Sequence, residues 1–303
     1  MLRWRLLLSV AIVGLLAGLC WLDAHAAESL AAPSGLWLLP ALVAFMFFAT
    51  DETLGLALAA GMQPLRGVVF LANLLLLLGD IFLVFSPWLR IIGDPLLGIL
   101  TPDDLAAHRT WVLVVLAGAT GFILLGEMIR YEKPGGVLAN AAAALLALVY
   151  VGVMLDFALQ LRLGWGVGAL ASWIITVKMG DIGAYTVGRL IGRHRLCPRL
   201  SPGKTIEGAV GAVVFSCAGA WASLAWLTPV AMARHPWAWL PYGLLLGIVG
   251  MLGDLAESML KRDAGCKDSS RWMPGFGGVL DILDSLLLSA PVAWLCWSLG
   301  LGA

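Results

Sequence analysis

Residues 66–87 read RGVVFLANLLLLLGDIFLVFSP. Between Arg66 and Pro87 the one ionisable residue is Asp80. A helix that crosses a bilayer needs about 20 apolar residues, and this run has that length. Similar runs lie near 4–22, 33–50, 109–130, 137–158, 166–187, 206–228, 238–259 and 279–301. The weakest division falls between the fifth and sixth, where Gln160 and Arg162 are the polar interruptions. The reading is an all-α polytopic integral membrane protein of about nine spans. No repeat or long linker appears, so residues 1–303 read as one membrane domain, with variable N-terminal helices over 1–165 and a catalytic part over 166–303.

Composition agrees. Of 303 residues, 61% are hydrophobic and 13% charged, with a mean hydropathy of +0.93. Soluble domains carry about 25% charged residues. Half that density excludes a soluble enzyme, a disordered chain and a fibrous one. The formal net charge is zero, which gives no support to nucleic-acid binding. The five cysteines form no C-x-x-C pair, so neither a disulfide framework nor a zinc site is expected. Trp4, Trp21, Trp37, Trp88, Trp111, Trp237, Trp239 and Trp272 lie near span ends, as an interfacial belt does.

Arg3 and Arg5 followed by an apolar stretch and Ala24-His25-Ala26 also fit a signal peptide, but the run is long for one. With a cytoplasmic N-terminus, nine spans place Arg3/Arg5, Arg66, Arg130/Lys133, the Arg189–Lys204 loop and the Lys261–Arg271 loop inside. Arg90, Arg109, Arg162 and Arg234 fall outside. That is the positive-inside asymmetry.

Two polar segments stand out. The first runs from Lys178 through Asp181, Tyr185, Arg189, Arg193 and His194 to Ser201-Pro-Gly-Lys204-Thr205-Ile-Glu207-Gly208. The second runs from Asp254, Glu257, Ser258, Lys261 and Arg262 through Lys267-Asp268 to Pro274-Gly-Phe-Gly277-Gly278, Asp281, Asp284 and Ser285. A charge at membrane depth costs about 2.5–3.5 kcal/mol on insertion scales, so such acids point to a role. Asp254, Glu257, Ser258 and Lys261 share one helical face, and Asp281, Asp284 and Ser285 share another. Two facing carboxylate surfaces suggest a divalent cation, and hard oxygen donors suit magnesium. Arg189, Arg193, Lys204, Lys261, Arg262 and Lys267 suit phosphate groups. Ser201-Pro-Gly-Lys204-Thr205 and Gly275-Phe-Gly277-Gly278 read as turns that enter helices and offer backbone N–H groups to an anion. A P-loop is rejected, because position 198 is Pro where the upstream glycine is needed and no strand is expected before it. Plainer readings exist: the basic loops can be topology determinants alone. Asp80, Glu127 and Asp156 read as helix-end, pore-facing or packing residues.

The residues resemble the bacterial-type phosphatidate cytidylyltransferases, or CDP-diacylglycerol synthases. That family's signature has the form Ser-x-x-Lys-Arg, four residues, Lys-Asp, then Pro-Gly-His-Gly-Gly-x-x-Asp-Arg-x-Asp. Here it reads Ser258-x-x-Lys261-Arg262, four residues, Lys267-Asp268, then Pro274-Gly275-Phe276-Gly277-Gly278-x-x-Asp281-Ile282-x-Asp284, without a gap. The likeness covers about 178–288. Phe276 stands where the family usually has His, and Ile282 where it usually has Arg.

The resemblance implies transfer of the cytidylyl group of CTP to phosphatidic acid at the cytoplasmic face of a bacterial plasma membrane, by a homodimer. It implies Asp254, Asp281 and Asp284 as magnesium ligands, with a second cation left open. Lys261, Arg262 and Lys267 would hold the triphosphate or pyrophosphate, with Asp268 beside them. Ser201, Lys204, Thr205 and Glu207 would complete the polar cleft, with Arg189, Arg193, Gly277 and Gly278 contributing to binding and Asp181 ordering the site. The rivals are a CTP-dependent enzyme with another lipid phosphate or polyprenol acceptor, and an ion-coupled transporter. A CDP-alcohol phosphotransferase is set aside, because Ser285 follows Asp284 where that family's motif needs Gly.

Overall fold

The structure is a computed structural model, and it describes residues 14–26, 33–92, 104–270 and 277–301. It is helical almost throughout. A helical stretch over 14–26 (α1) precedes α2 (Leu39–Ala59), α3 (Arg66–Ile92), α4 (Asp104–Ile129), α5 (Val137–Ala147) and α6 (Met154–Ile191). A short hairpin, β1 (Arg195–Cys197) and β2 (Ser201–Thr205), leads to α7 (Ile206–Leu227), α8 (Pro229–Arg234), α9 (Trp239–Asp263) and α10 (Leu280–Ser298). Among the described residues six helices are long and apolar enough to cross a membrane. The all-α polytopic class is therefore borne out. Arg271 and Pro274-Gly-Phe276 of the signature lie outside the described residues.

One of the six is a 55-residue run over Val137–Ile191. A six-residue π-helical stretch, Leu148–Val153, joins α5 to α6 inside it. The run is broken again at Gly166, whose φ of 87° and ψ of −179° are not helical. Glycine reaches this conformation without the Cβ clash other residues meet. The chain thus turns at Gly166, close to where two separate spans are expected.

Two compact units divide the chain. One comprises Met1–Asp156 with Ser269–Val279, the other Phe157–Asp268 with Leu280–Ala303. In the first, Leu54, Val69, Leu76, Val115, Ile123 and Leu148 are central to a buried cluster. Polar pairs fix the helices within it: Asn73 Nδ2 donates to Thr50 Oγ1 at 2.7 Å. Such bonds replace the water that lipid cannot supply.

The second unit packs on small residues. An added Cβ at Gly211 of α7 would lie 2.6 Å from Val187 Cβ of α6, and one at Gly243 of α9 would lie 2.5 Å from Cys217 Cα of α7. At Gly253 of α9 a Cβ would lie 2.5 Å from the Asp284 carbonyl oxygen of α10. Small residues let membrane helices approach this closely. That contact is what places Asp254 beside α10.

The segment expected to be a turn into the seventh span is a strand. Arg195 pairs with Thr205 and Cys197 with Ser201, antiparallel. Leu200 N donates to the Cys197 carbonyl at 3.2 Å, closing a turn with Pro198 at its second position. Proline presets φ there. A strand does precede Lys204, contrary to expectation. It is one arm of a hairpin, and the missing glycine still excludes a P-loop.

Candidate active site

Four helices (α6, α7, α9 and α10) and the hairpin bring the polar residues of the second unit together. Thr205 caps α7 from an extended conformation, its Oγ1 accepting from Gly208 N at 3.1 Å. This satisfies one of the free N–H groups of the first turn and aims the others outward. Glu207 in that turn accepts from the backbone N–H of Arg193 at 3.0 Å and lies 2.6 Å from His194 Nδ1. Its carboxylate thus fastens α6's exit to α7's entrance. Glu207 acts here as a brace, and His194, to which the sequence assigns no chemistry, is its partner.

A cavity of about 440 Å³ opens beside this cap. Asp181, Arg189, Lys204, Thr205 and Asp254 line it, with Gly180, Gly188 and Gly208 giving it backbone walls. Both ends of the first polar segment therefore meet Asp254, the first residue of the second, at one place. Lys204 Nζ stands 2.7 Å from Asp254 Oδ2. Arg189 is exposed at the rim, with Nη1 donating to Tyr185 Oη at 2.5 Å. A cation, a helix N-terminus and glycine walls are groups that suit an anion.

A second set of acids runs along α9 and α10. Lys261 Nζ pairs with Asp281 Oδ1 at 2.6 Å and with the fully buried Glu257. Lys178 on α6 is the centre of another group. Its Nζ lies 2.9 Å from Asp181 Oδ2, 2.9 Å from Ser285 Oγ and 3.0 Å from the Ile282 carbonyl oxygen. Ser285 Oγ also donates to Asp181 Oδ2 at 2.9 Å. Asp284 interacts electrostatically with Lys178, Asp254 and Asp181, and Glu257 with Asp281 and Asp284. Five carboxylates, Asp181, Asp254, Glu257, Asp281 and Asp284, are thus served by three lysines, Lys178, Lys204 and Lys261. Clustered carboxylate oxygens of this kind are the hard donors a divalent cation takes.

Other expected site residues stand apart from the cavity lining. Arg262 donates from Nε to the Leu200 carbonyl at 3.3 Å and from Nη1 to Cys266 at 3.2 Å, so it ties α9 to the hairpin turn. Lys267 and Asp268 are exposed on the loop after α9. Ser201 opens β2, and Arg193 meets Glu207 through its backbone. Gly277 and Gly278 belong to the first unit, where Val279 N donates to Glu52 Oε1 at 3.0 Å and Ser269 Oγ to Glu52 Oε2 at 2.9 Å.

Sequence reasoning assigned nothing to Lys178, Ser285 or Glu52. Lys178 carried a signal, a cation inside an apolar run three residues before Asp181. Glu52 carried none beyond being an acid in α2. The Ile282 departure is explained in part: position 282 meets Lys178 through its carbonyl, which any side chain leaves in place.

Among the described residues, Asp80, His108 and Asp156 of the first unit also form a group able to hold a metal ion.

The profile of the Cytidylyltransferase family matches residues 15–299. A phosphatidate cytidylyltransferase of Mycobacterium leprae (strain TN) is 40% identical over 158 residues, 52% of this chain and 49% of that protein. One of Mycobacterium bovis (strain ATCC BAA-935 / AF2122/97) is 31% identical over 223 residues, 68% of this chain and 72% of the relative. One of Staphylococcus aureus (strain COL) is 36% identical over 185 residues, 60% and 69% respectively. The match thus spans about half the length of the first relative and more of the other two.

Proposed function

The chain belongs to the cytidylyltransferase family, and we propose that it transfers the cytidylyl group of CTP to phosphatidic acid, giving CDP-diacylglycerol and pyrophosphate for phospholipid synthesis. The observation that carries this reading is the cavity of about 440 Å³ where Lys204, Arg189 and the capped start of α7 face Asp181 and Asp254. The relatives' names supply the substrates.

A phosphate oxygen of the lipid attacks the α-phosphorus of CTP, a new P–O bond forms, and the bond to the pyrophosphate oxygen breaks. Nucleophile and electrophile are both anionic, so positioning and charge neutralisation do most of the work. The phosphate is already ionised near neutral pH, so no general base is required. Lys204, paired with Asp254, turns to an incoming phosphate. Arg189 at the rim adds a second cation, and the N–H groups of α7's first turn a third electrophilic contact. Lys178 holds Asp181 and Ser285 in register beside them. Lys261, Arg262 and Lys267 take the departing pyrophosphate, with Asp268 beside them.

Asp254, Asp281 and Asp284 are the magnesium ligands in this reading, and their hard oxygen donors are what fits them to that cation. When bound, magnesium neutralises phosphate charge at the reacting centre. Nine spans with a cytoplasmic N-terminus put both polar segments on the side where CTP is found, at a bacterial plasma membrane. The acyl chains stay in lipid, and a homodimer is part of the same reading.

The test is an assay of the detergent-purified protein with labelled CTP, phosphatidic acid and magnesium. Lipid-soluble label that requires both phosphatidate and magnesium, and disappears with EDTA, is expected. Transfer only to a different lipid phosphate or a polyprenol would keep the chemistry and replace the acceptor. Loss of the reaction from protein that still binds CTP would overturn the proposal.

A further inference from the structure

The first unit holds polar residues that take no part in the chemistry above. Asp80 of α3, His108 of α4 and Asp156 of α6 are all buried, and their ligand atoms lie within 4.8 Å of one another. His108 Nε2 is 2.8 Å from Asp156 Oδ1 and 3.7 Å from Asp80 Oδ1. One ring nitrogen therefore faces both carboxylates. Asp80 is 0% exposed, and among the described residues neither of its oxygens accepts a hydrogen bond.

Such a carboxylate is costly. An ion removed from water loses several kcal/mol of solvation, roughly, unless a partner replaces it. Leu76, Leu77, Val84 and Leu155, buried apolar residues of the same helices, supply none. A protonated His108 can balance one of the two acids, and the other can keep a proton shared between Asp80 and Asp156. A divalent cation balances both and leaves the imidazole neutral, with its proton on Nδ1.

The spacing fits as well. Metal–ligand bonds of about 2.0–2.1 Å at tetrahedral angles hold neighbouring donor atoms roughly 3.4 Å apart. The separations of 2.8 and 3.7 Å straddle that value. Small side-chain shifts would bring all three donors onto one ion. The donor set narrows the metal. Magnesium and calcium prefer all-oxygen shells, and copper(I) prefers sulfur. One imidazole nitrogen with two carboxylate oxygens is an intermediate set that suits zinc or manganese.

We propose that Asp80, His108 and Asp156 form a structural site for zinc or manganese that clamps three helices of the first unit. Asp80 lies midway along α3 and His108 early in α4, so the ion sits where the start of α4 runs beside the middle of α3. It ties that point to the first turn of α6, where Asp156 stands. The proposal uses none of the residues assigned to cytidylyl transfer.

The test is the metal content of the full-length protein, purified in detergent, incubated with zinc or manganese and then desalted. About one equivalent per chain is expected to remain, as for a built site with three protein ligands. Asp80→Asn and His108→Gln should each lose it, whereas Asp284→Asn should keep it, because magnesium chemistry lies elsewhere in the chain. A strong chelator should lower the melting temperature of the wild type and leave that of Asp80→Asn unchanged. Wild-type protein that elutes as a folded species and retains neither metal overturns the proposal, as does retention by both first-unit variants. The group would then be a histidine sharing protons between two carboxylates. If neither variant folds, the wild-type metal content decides alone.

Discussion

Lys204 Nζ lies 2.7 Å from Asp254 Oδ2, so the strand that enters α7 is joined to the acid that opens the carboxylate row of α9. Each of the two polar segments contributes one partner. In the proposed reaction an incoming phosphate competes with this carboxylate for the ammonium.

Lys204→Ala removes that cation and leaves Asp254 facing the cavity. The expected result is a rise in the KM for CTP with a fall of roughly 100-fold in kcat/KM, the scale of losing one charged contact to a reacting phosphate. Lys204→Arg should recover part of it. A CTP titration of initial rates measures both. Unchanged CTP dependence in Lys204→Ala would remove this residue from the nucleotide site.

Asp281→Ala should abolish activity in protein that inserts and elutes normally. Lys261 keeps Glu257 as its partner in this variant, so no cation is stranded. Formation of lipid-soluble cytidine label beside size-exclusion profiles separates the two effects. Full activity would sink the ligand assignment.

Lys178→Met deletes the bonds to Asp181, Ser285 and the Ile282 carbonyl at once. Charge-assisted hydrogen bonds are worth about 1.5–3 kcal/mol each, less where solvent reaches them, so both stability and turnover should fall. The melting temperature in detergent and kcat report them separately. Loss of kcat with an unchanged KM for CTP is expected, because Lys178 orders the acids and does not line the cavity. A wild-type kcat would show that its contacts are dispensable.

Glu52→Ala removes the acceptor of Ser269 Oγ and Val279 N. The melting temperature in detergent should fall by a few degrees relative to the wild type, since hydrogen bonds to a charged acceptor are lost. Glu52→Gln keeps acceptor capacity at the same length and should restore most of the stability. Equal melting temperatures in all three proteins would show that these bonds are dispensable.

The helical membrane class was legible in the sequence, because a span must satisfy its backbone within itself and so announces itself as one local apolar run. The shared faces of Asp254 with Glu257 and Lys261, and of Asp281 with Asp284 and Ser285, were legible for the same reason: helical periodicity is local. The family resemblance came from spacing within one continuous segment. Tertiary structure alone decided the rest. Ser201–Thr205 reads as a turn by its Pro and Gly, yet it is a strand because Arg195 and Cys197 lie beside it. Lys178 reaches Ser285, Glu52 reaches Val279, and His108 reaches Asp80 and Asp156 across long stretches of chain. No periodicity encodes such meetings. They follow from which helices pack together, and glycines such as Gly253 set how closely those helices approach.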